Sequence, residues 1–334
     1  MRHTLTKSRF SRNLGVIAAA TLALSLAACS SPSSTEKTPA ATNDGALETT
    51  ELLIGIVPVI DHASVFVAID EGFFEEEGLS VTAQPAQGGA AAVPAMIAGE
   101  MQGAFATYPS FMLAQNSGIG INIVAEGVRG TAETAGVYVA KDSPVQDISD
   151  LAGKKIAVNT LNNTGDLTIK TLLSEAGVDL GSVEFIELGF ADMMPTLSNG
   201  GVDAAWLVEP FQTAALGEGA RKIFATYEGT TDGIPVSGIG MTEAFVTENP
   251  NTTAAFVRAI ERANELISED STVARDILPS YSKVTPEVAA QLQAPAWSAG
   301  SPDVEALEAW NKIMTDQGAL DAPVDLKKMV WTAK

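Results

Sequence analysis

Gly189-Phe190-Ala191-Asp192-Met193-Met194-Pro195-Thr196-Leu197-Ser198-Asn199-Gly200 sets a proline six places after one glycine and a second glycine five places after the proline. Gly88, Pro94 and Gly99 carry the same spacing 101 residues earlier, and Pro109 and Gly118 recur at that distance as Pro210 and Gly219. Glycine and proline punctuate backbone structure, so their recurrence at one offset points to two units built on one plan. The apolar pattern takes the same shift. Ile54 to Val57 falls on Lys155 to Val158, and Ala104-Phe105-Ala106 falls on Ala205-Trp206-Leu207.

Each unit reads as strand, helix, strand, helix, strand, helix, strand. In the first, Leu52 to Val57 is a short branched apolar run, followed by a helix-length segment ending near Glu77-Gly78 and a strand around Val81. In the second, Lys155 to Val158 leads to a helix over Leu167 to Ala176, stopped by Gly177, and a strand over Val183 to Leu188. This alternation predicts an α/β fold of mostly parallel sheets with helices on both faces. Ligands in such sheets bind at the carboxyl ends of the strands. Beyond the repeat the chain reads as helical. Asn249-Pro250 opens a face of Phe256, Ile260, Ala263 and Ile267, and Ser301-Pro302 opens one of Leu307, Trp310 and Met314 that stops at Gly318. With no third sheet to cover, both helices are expected to pack on the first unit.

Residues 1–28 combine Arg2, Lys7, Arg9 and Arg12 with an apolar run from Leu14 to Leu24, the layout of a secretory signal. That run is too short to span a bilayer, which takes about 20 residues. Leu26-Ala27-Ala28-Cys29 resembles a bacterial lipobox, which implies a lipid on Cys29 and a protein held at the extracytoplasmic face of the cell membrane. Residues 29–50 are rich in Ser, Thr, Pro and Ala without apolar periodicity and read as a disordered tether.

The full chain has a net charge of −21, and loss of the signal would remove four bases and no acid, giving −25. A nucleic-acid partner is excluded on this ground, because binding one needs clustered Lys and Arg. The chain has two histidines, His3 and His62, and one cysteine. Once the signal is gone and Cys29 is lipidated, no Cys-His pair, His/Cys zinc site or disulfide framework can be assembled. Neither a G-x-S-x-G elbow nor a glycine-rich phosphate loop occurs. No metal and no cofactor are expected, and no enzymatic activity.

Asp70-Glu71-Gly72-Phe73-Phe74-Glu75-Glu76-Glu77-Gly78-Leu79, Gly88-Gly89, Asp147 to Val158, and Val202-Asp203-Ala204 with Glu209-Pro210-Phe211 together resemble a known family. It is the solute-binding proteins of ABC importers, in the branch that includes nitrate, sulfonate and taurine receptors and thiamine-pyrimidine binders. The resemblance covers roughly Leu52 to Gly318. It implies a two-lobed clamp of the periplasmic-binding-protein type, with residues 51–136 and 238–334 in lobe 1 and 137–237 in lobe 2. Two hinge crossovers would lie near Val137 and Ser237. The implied partners are a small-molecule solute and an ABC permease with its ATPase. A clamp that must close freely is expected to be a monomer.

Equivalent loops of the two units should face each other across the cleft. Pro58 to Ser64 offers Asp61 and His62. Asn159 to Gly165 offers Asn159, Thr160, Asn162, Asn163 and Thr164 at a helix N-terminus, either to a polar or anionic group or to plain helix capping. His62 in ligand contact would make binding change near its ordinary pKa of about 6.5. Later loops offer Thr107 with Tyr108, Trp206 with Glu209, and Ser237, while Gly88 and Gly89 permit close backbone approach. Arg129 either partners an anionic solute or pairs with Glu126 or Glu133 and leaves the cleft acidic. The resemblance favours a sulfonate, taurine or nitrate; Asp166 and Glu209 favour a thiamine-precursor pyrimidine, another nitrogen heterocycle or an amine. A pyrimidine-synthesising enzyme and a ligand sensor are the further alternatives.

Overall fold

In the computed structural model, residues 45–86 and 89–333 are described; the signal segment, Cys29, the tether through residue 44 and Gly88 lie outside them. The end of the expected tether is held in place. Glu48 accepts the Asn251 and Thr252 N–H groups at 3.1 and 2.9 Å, and the Glu48 and Thr49 N–H groups donate to the Thr252 hydroxyl. Glu48 thus sits on the free N–H groups at the start of helix Pro250–Glu269, where a carboxylate is favoured.

The strands, in chain order, are β1 Glu51–Ile56, β2 Ser80–Pro85, β3 Gly103–Thr107, β4 Ile121–Glu126, β5 Val128–Arg129, β6 Ala135–Val139, β7 Lys155–Val158, β8 Glu184–Glu187, β9 Ala204–Val208, β10 Arg221–Ala225, β11 Ser237–Thr242 and β12 Ala296–Trp297. One sheet runs β2-β1-β3-β11-β4 and the other, read from its matching edge, β8-β7-β9-β6-β10. The two orders are the same. In each sheet one strand, β11 or β6, is antiparallel to both neighbours, while the pairings among β1, β2 and β3 and among β7, β8 and β9 are parallel. The chain passes from the first sheet to the second between β5 and β6 and returns between β10 and β11.

The repeat is visible in the elements. Helix Gly89–Ile97 with β3, and helix Phe190–Ser198 with β9, stand 101 residues apart. The first strands differ by one more, because Ile54 pairs with Gly103 while Ile156 pairs with Ala204. Val57 therefore corresponds to Asn159, not to Val158 as the sequence alignment has it. One residue fewer separates β7 from β9 than β1 from β3, and strand pairing rather than glycine spacing sets the equivalence.

β11 lies inside its sheet, between β3 and the edge strand β4, and is thin for a reason. A Cβ on Gly240 would lie 2.5 Å from the Phe111 ring, and one on Gly238 would lie 2.6 Å from the Ala125 carbonyl oxygen. The expected long first helix is broken into Ala63–Asp70 and Phe73–Glu76, with Gly72 left-handed at φ 73° between them.

The C-terminal helices pack on the first lobe as expected, burying Phe256, Ile260, Ala263 and Ile267 from one and Leu307, Trp310 and Met314 from the other. Helix Val304–Asp316 is capped by Asp303, which accepts the Glu305 and Ala306 N–H groups, so Ser301-Pro302 lies before the helix rather than at its cap. Trp310 donates its indole N–H to the Pro235 carbonyl at 2.6 Å, tying this helix to the segment returning from the second sheet. Trp310→Ala is expected to cost about 3–5 kcal/mol in urea unfolding, and Trp310→Phe about 1–3 kcal/mol, since it leaves the Pro235 carbonyl without its donor.

Candidate functional site

Strand register builds the site. Ser237 at the start of β11 pairs with Thr107 at the end of β3, and Ala135 at the start of β6 pairs with Val208 at the end of β9. The carboxyl ends of the parallel strands and the amino ends of the antiparallel ones therefore open on one cleft. Its inner chamber, about 60 Å³, is lined from one lobe by Asp61, His62, Phe105, Thr107 and Ser237 and from the other by Asn159, Thr164, Trp206, Val208 and Tyr227. An outer chamber of about 760 Å³ adds Pro58, Pro85, Thr160, Glu187, Asp192 and Phe211. Val57, Val59, Asn159 and Phe190 border both.

His62 lies on Phe105 with ring centroids 4.0 Å apart, and its Nδ1 accepts the Val57 N–H at 2.9 Å. That bond places the neutral ring's proton on Nε2, leaving a donor for the chamber. Burial pushes the imidazole pKa down to about 3. The expectation of a binding change near pH 6.5 is withdrawn: a histidine that stays neutral can touch ligand without any pH signature. Burial drives Asp61 the other way, to about 7, opposed by its own backbone N–H and reinforced by the charge of Glu209. Burial, then the Asp61 charge, raises the Tyr227 phenol pKa and keeps its proton on.

Three buried polar atoms lining the chamber have no hydrogen-bond partner: Asn159 Oδ1, Ser237 Oγ and the Tyr227 hydroxyl. Leaving such groups unpaired is costly, so each can take a polar partner that enters the chamber. Trp206 is anchored by its indole N–H on Thr226 Oγ1 at 3.0 Å, and a Cβ on Gly165 would lie 2.8 Å from its ring. Glycine at 165 lets the helix start close against the indole.

Asn163 joins the lobes. Its Oδ1 accepts the Thr107 hydroxyl at 2.7 Å and its Nδ2 donates to Ser110 Oγ at 2.8 Å, across 56 and 53 residues of chain. It also caps helix Thr164–Glu175 in a capping box with Asp166. Asp166 accepts the Asn162 and Asn163 N–H groups and pairs with Lys170 at 2.7 Å, so its carboxylate is turned from the cleft. Gln317 makes a second link, donating to the Leu167 carbonyl at 2.9 Å.

Several expected site residues lie elsewhere. Arg129 is on β5, its Nε 2.8 Å from Glu126 and its Nη2 3.4 Å from Asp303, and it lines neither chamber. It takes the second of its two alternatives, the pairing with Glu126. Tyr108 is fully buried beneath β11 and packs in the core. Glu209 directly follows β9, but its carboxylate accepts the Thr213 N–H and hydroxyl and the Gln293 N–H, spending it on a helix start and on the other lobe. Asn162 is left-handed at φ 54° and exposed at the rim, and Gly89 begins a helix. Among the described residues, no Lys or Arg lines either chamber.

Sequence reasoning missed Tyr227, Phe190, Thr134 and Ser110. Phe190 stands right after the repeated Gly189, at the start of a helix whose counterpart starts at Gly89, so the repeat carried a signal for it. Tyr227 and Thr134 sit in the crossovers, where the repeat has no counterpart, and had no signal.

The sequence profile of the NMT1/THI5-like family matches residues 59–273. The formylaminopyrimidine-binding protein of Halalkalibacterium halodurans is 25% identical over 248 residues, covering 72% of this chain and 73% of that protein. Among solved structures, the alkanesulfonate-binding protein of Xanthomonas axonopodis pv. citri superposes with a TM-score of 0.74 at 20% identity, covering 86% of this chain and 99% of its own. The periplasmic nitrate-binding protein of Synechocystis PCC 6803 gives 0.72 at 17% identity, covering 85% and 87%. These two share the periplasmic-binding-protein fold with this chain.

Asp61, with a pKa near 7 in the fold and an ordinary value of 3.8 when unfolded, binds more protons folded than unfolded between those values. Its contribution to stability then falls as pH rises from about 4 to 7 and levels off above. Denaturation at pH 4.5, 5.5, 6.5 and 7.5 should show the difference between wild type and Asp61→Asn changing by about 1.4 kcal/mol per pH unit at most across that window; a constant difference would contradict it. The His62 ring resonances should not titrate above pH 5.

Proposed function

The chain belongs to the NMT1/THI5-like family, and from that membership we propose that it is the solute-binding component of an ABC importer. In this reading it works outside the cytoplasm as a monomer, tethered through a lipid on Cys29, and presents its solute to the permease without altering it. The paired lobes with a cleft at their strand ends support it, as do the crossovers on which such lobes turn.

For the solute, the cleft favours a planar nitrogen heterocycle of the aminopyrimidine class over a sulfonate, taurine or nitrate. One observation carries this: among the described residues the chambers hold Asp61, Glu187 and Asp192 with no base to balance them, and Arg129 is paired with Glu126 and Asp303. A permanent anion would meet a half-ionised Asp61 at neutral pH without a counter-charge. An aminopyrimidine offers a ring face to the aromatic wall and an N–H to Asn159 at the mouth of the inner chamber, and its substituent offers donors and acceptors to Asp61, the His62 Nε2–H and the Tyr227 and Ser237 hydroxyls inside. That a relative binds a formylaminopyrimidine supports the same choice.

In thermal unfolding, an aminopyrimidine at 100 times its dissociation constant should add about 2.7 kcal/mol, with no shift from alkanesulfonates, taurine or nitrate. The reverse pattern overturns the choice of solute. Asp61→Asn should weaken aminopyrimidine binding at least about tenfold in calorimetry, the loss of a hydrogen bond to a charged group.

A further inference from the structure

The two chambers meet at a neck formed by Val57, Val59, Asn159 and Phe190. The inner chamber has room for roughly four waters, counting about 15 Å³ of such space for each, and the outer one is more than ten times larger by volume. Phe190 is half-buried and backed by aromatic rings, with Phe211 stacked at 5.2 Å and 16° and Trp206 at 5.8 Å and 35°. The other lobe contributes two aliphatic side chains, Val57 and Val59. An aromatic wall opposite an aliphatic one makes a slot suited to a flat ring. At its edge Asn159 Oδ1 is buried with no donor.

The repeat shows that the aromatic wall belongs to one lobe. Phe190 opens its helix where Gly89 opens the equivalent one, and Asn159 follows β7 where Val57 follows β1. The polar and aromatic halves of the neck both come from the second lobe. A ring held there meets both walls only when the lobes are together.

We infer that Phe190 and Asn159 form the ring-selecting slot of the cleft. A planar ring stacks on Phe190 against Val57 and Val59 and donates an edge N–H to Asn159 Oδ1. It projects a substituent of roughly four non-hydrogen atoms, the size of the water-sized space there, into the inner chamber. This rests on the reading of the protein as a solute receptor and adds which residues choose the ring.

The test is calorimetry of the soluble chain with three probes: 4-aminopyrimidine, 4-methylpyrimidine, which lacks the edge N–H, and 2-pyridone, a ring outside the pyrimidine class that keeps one. Phe190→Ala should weaken all three by about five- to tenfold, the scale of an aromatic contact with its buried area. Phe190→Leu, which keeps most of the volume and guards against a misfolded variant, should fall between. Asn159→Ala should weaken 4-aminopyrimidine and 2-pyridone while leaving 4-methylpyrimidine within about twofold, no hydrogen bond being lost there. Binding of 4-aminopyrimidine unmoved by these variants overturns the slot and leaves the solute class standing. Binding of 2-pyridone alone, with both dependences, keeps the slot and removes the solute class. No binding by any ring removes both.

Discussion

β3 and β4 do not pair with each other; what joins them is β11, hydrogen-bonded to both, and its residues come after the whole second lobe in sequence. The first sheet can close only when the chain has crossed to the second lobe and returned. This constraint explains the glycines of β11, which lie between the Phe111 ring and the Ala125 backbone with no space for a Cβ. It also places the hinge. The two crossovers meet at the strand ends that line the cleft, so the residues that turn and the residues that bind are neighbours: Thr134 precedes β6 and Ser237 opens β11, and both line the inner chamber.

Burial then decides the charges in that chamber. The same loss of water that holds His62 neutral raises Asp61 to about 7 and keeps the Tyr227 phenol protonated. The inner chamber is therefore a set of neutral donors and acceptors with one carboxyl group near its midpoint, although the chain as a whole has a net charge of −21. Two cations of the surrounding elements are spent structurally, Arg129 on Glu126 and Lys170 on Asp166. Closure depends on equally local chemistry. Asn163 serves at once as helix cap and as the bridge to Thr107 and Ser110, so the loop after β7 is tied to the other lobe by the same residue that starts its helix.

Much of the architecture was legible because glycine, proline and apolar runs act through short-range sterics and periodicity. The spacing from Gly88 to Gly118 and its recurrence from Gly189 to Gly219 gave the order of elements in both lobes, and the faces of the two C-terminal helices followed from helical periodicity. The loops after the first strands both border the inner chamber, one with Asp61 and His62 and the other with Asn159 and Thr164, although the equivalence of Val57 and Asn159 needed strand pairing, since a register is set by hydrogen bonds between distant strands.

The sequence by itself therefore determined the two-lobed α/β plan, the helices that cover it, and the loops that could carry a site. Only the tertiary structure decided what those loops contain. Arg129 could have faced an anion or a carboxylate, and the choice fell to Glu126 and Asp303, the latter 174 residues away. Glu209 could have held a ligand amine but meets Gln293. Tyr227 and Phe190 entered the cleft without being expected there. Side-chain partners and burial depend on what folding brings together from distant parts of the chain, and the pKa of a carboxyl or imidazole group depends on that burial in turn.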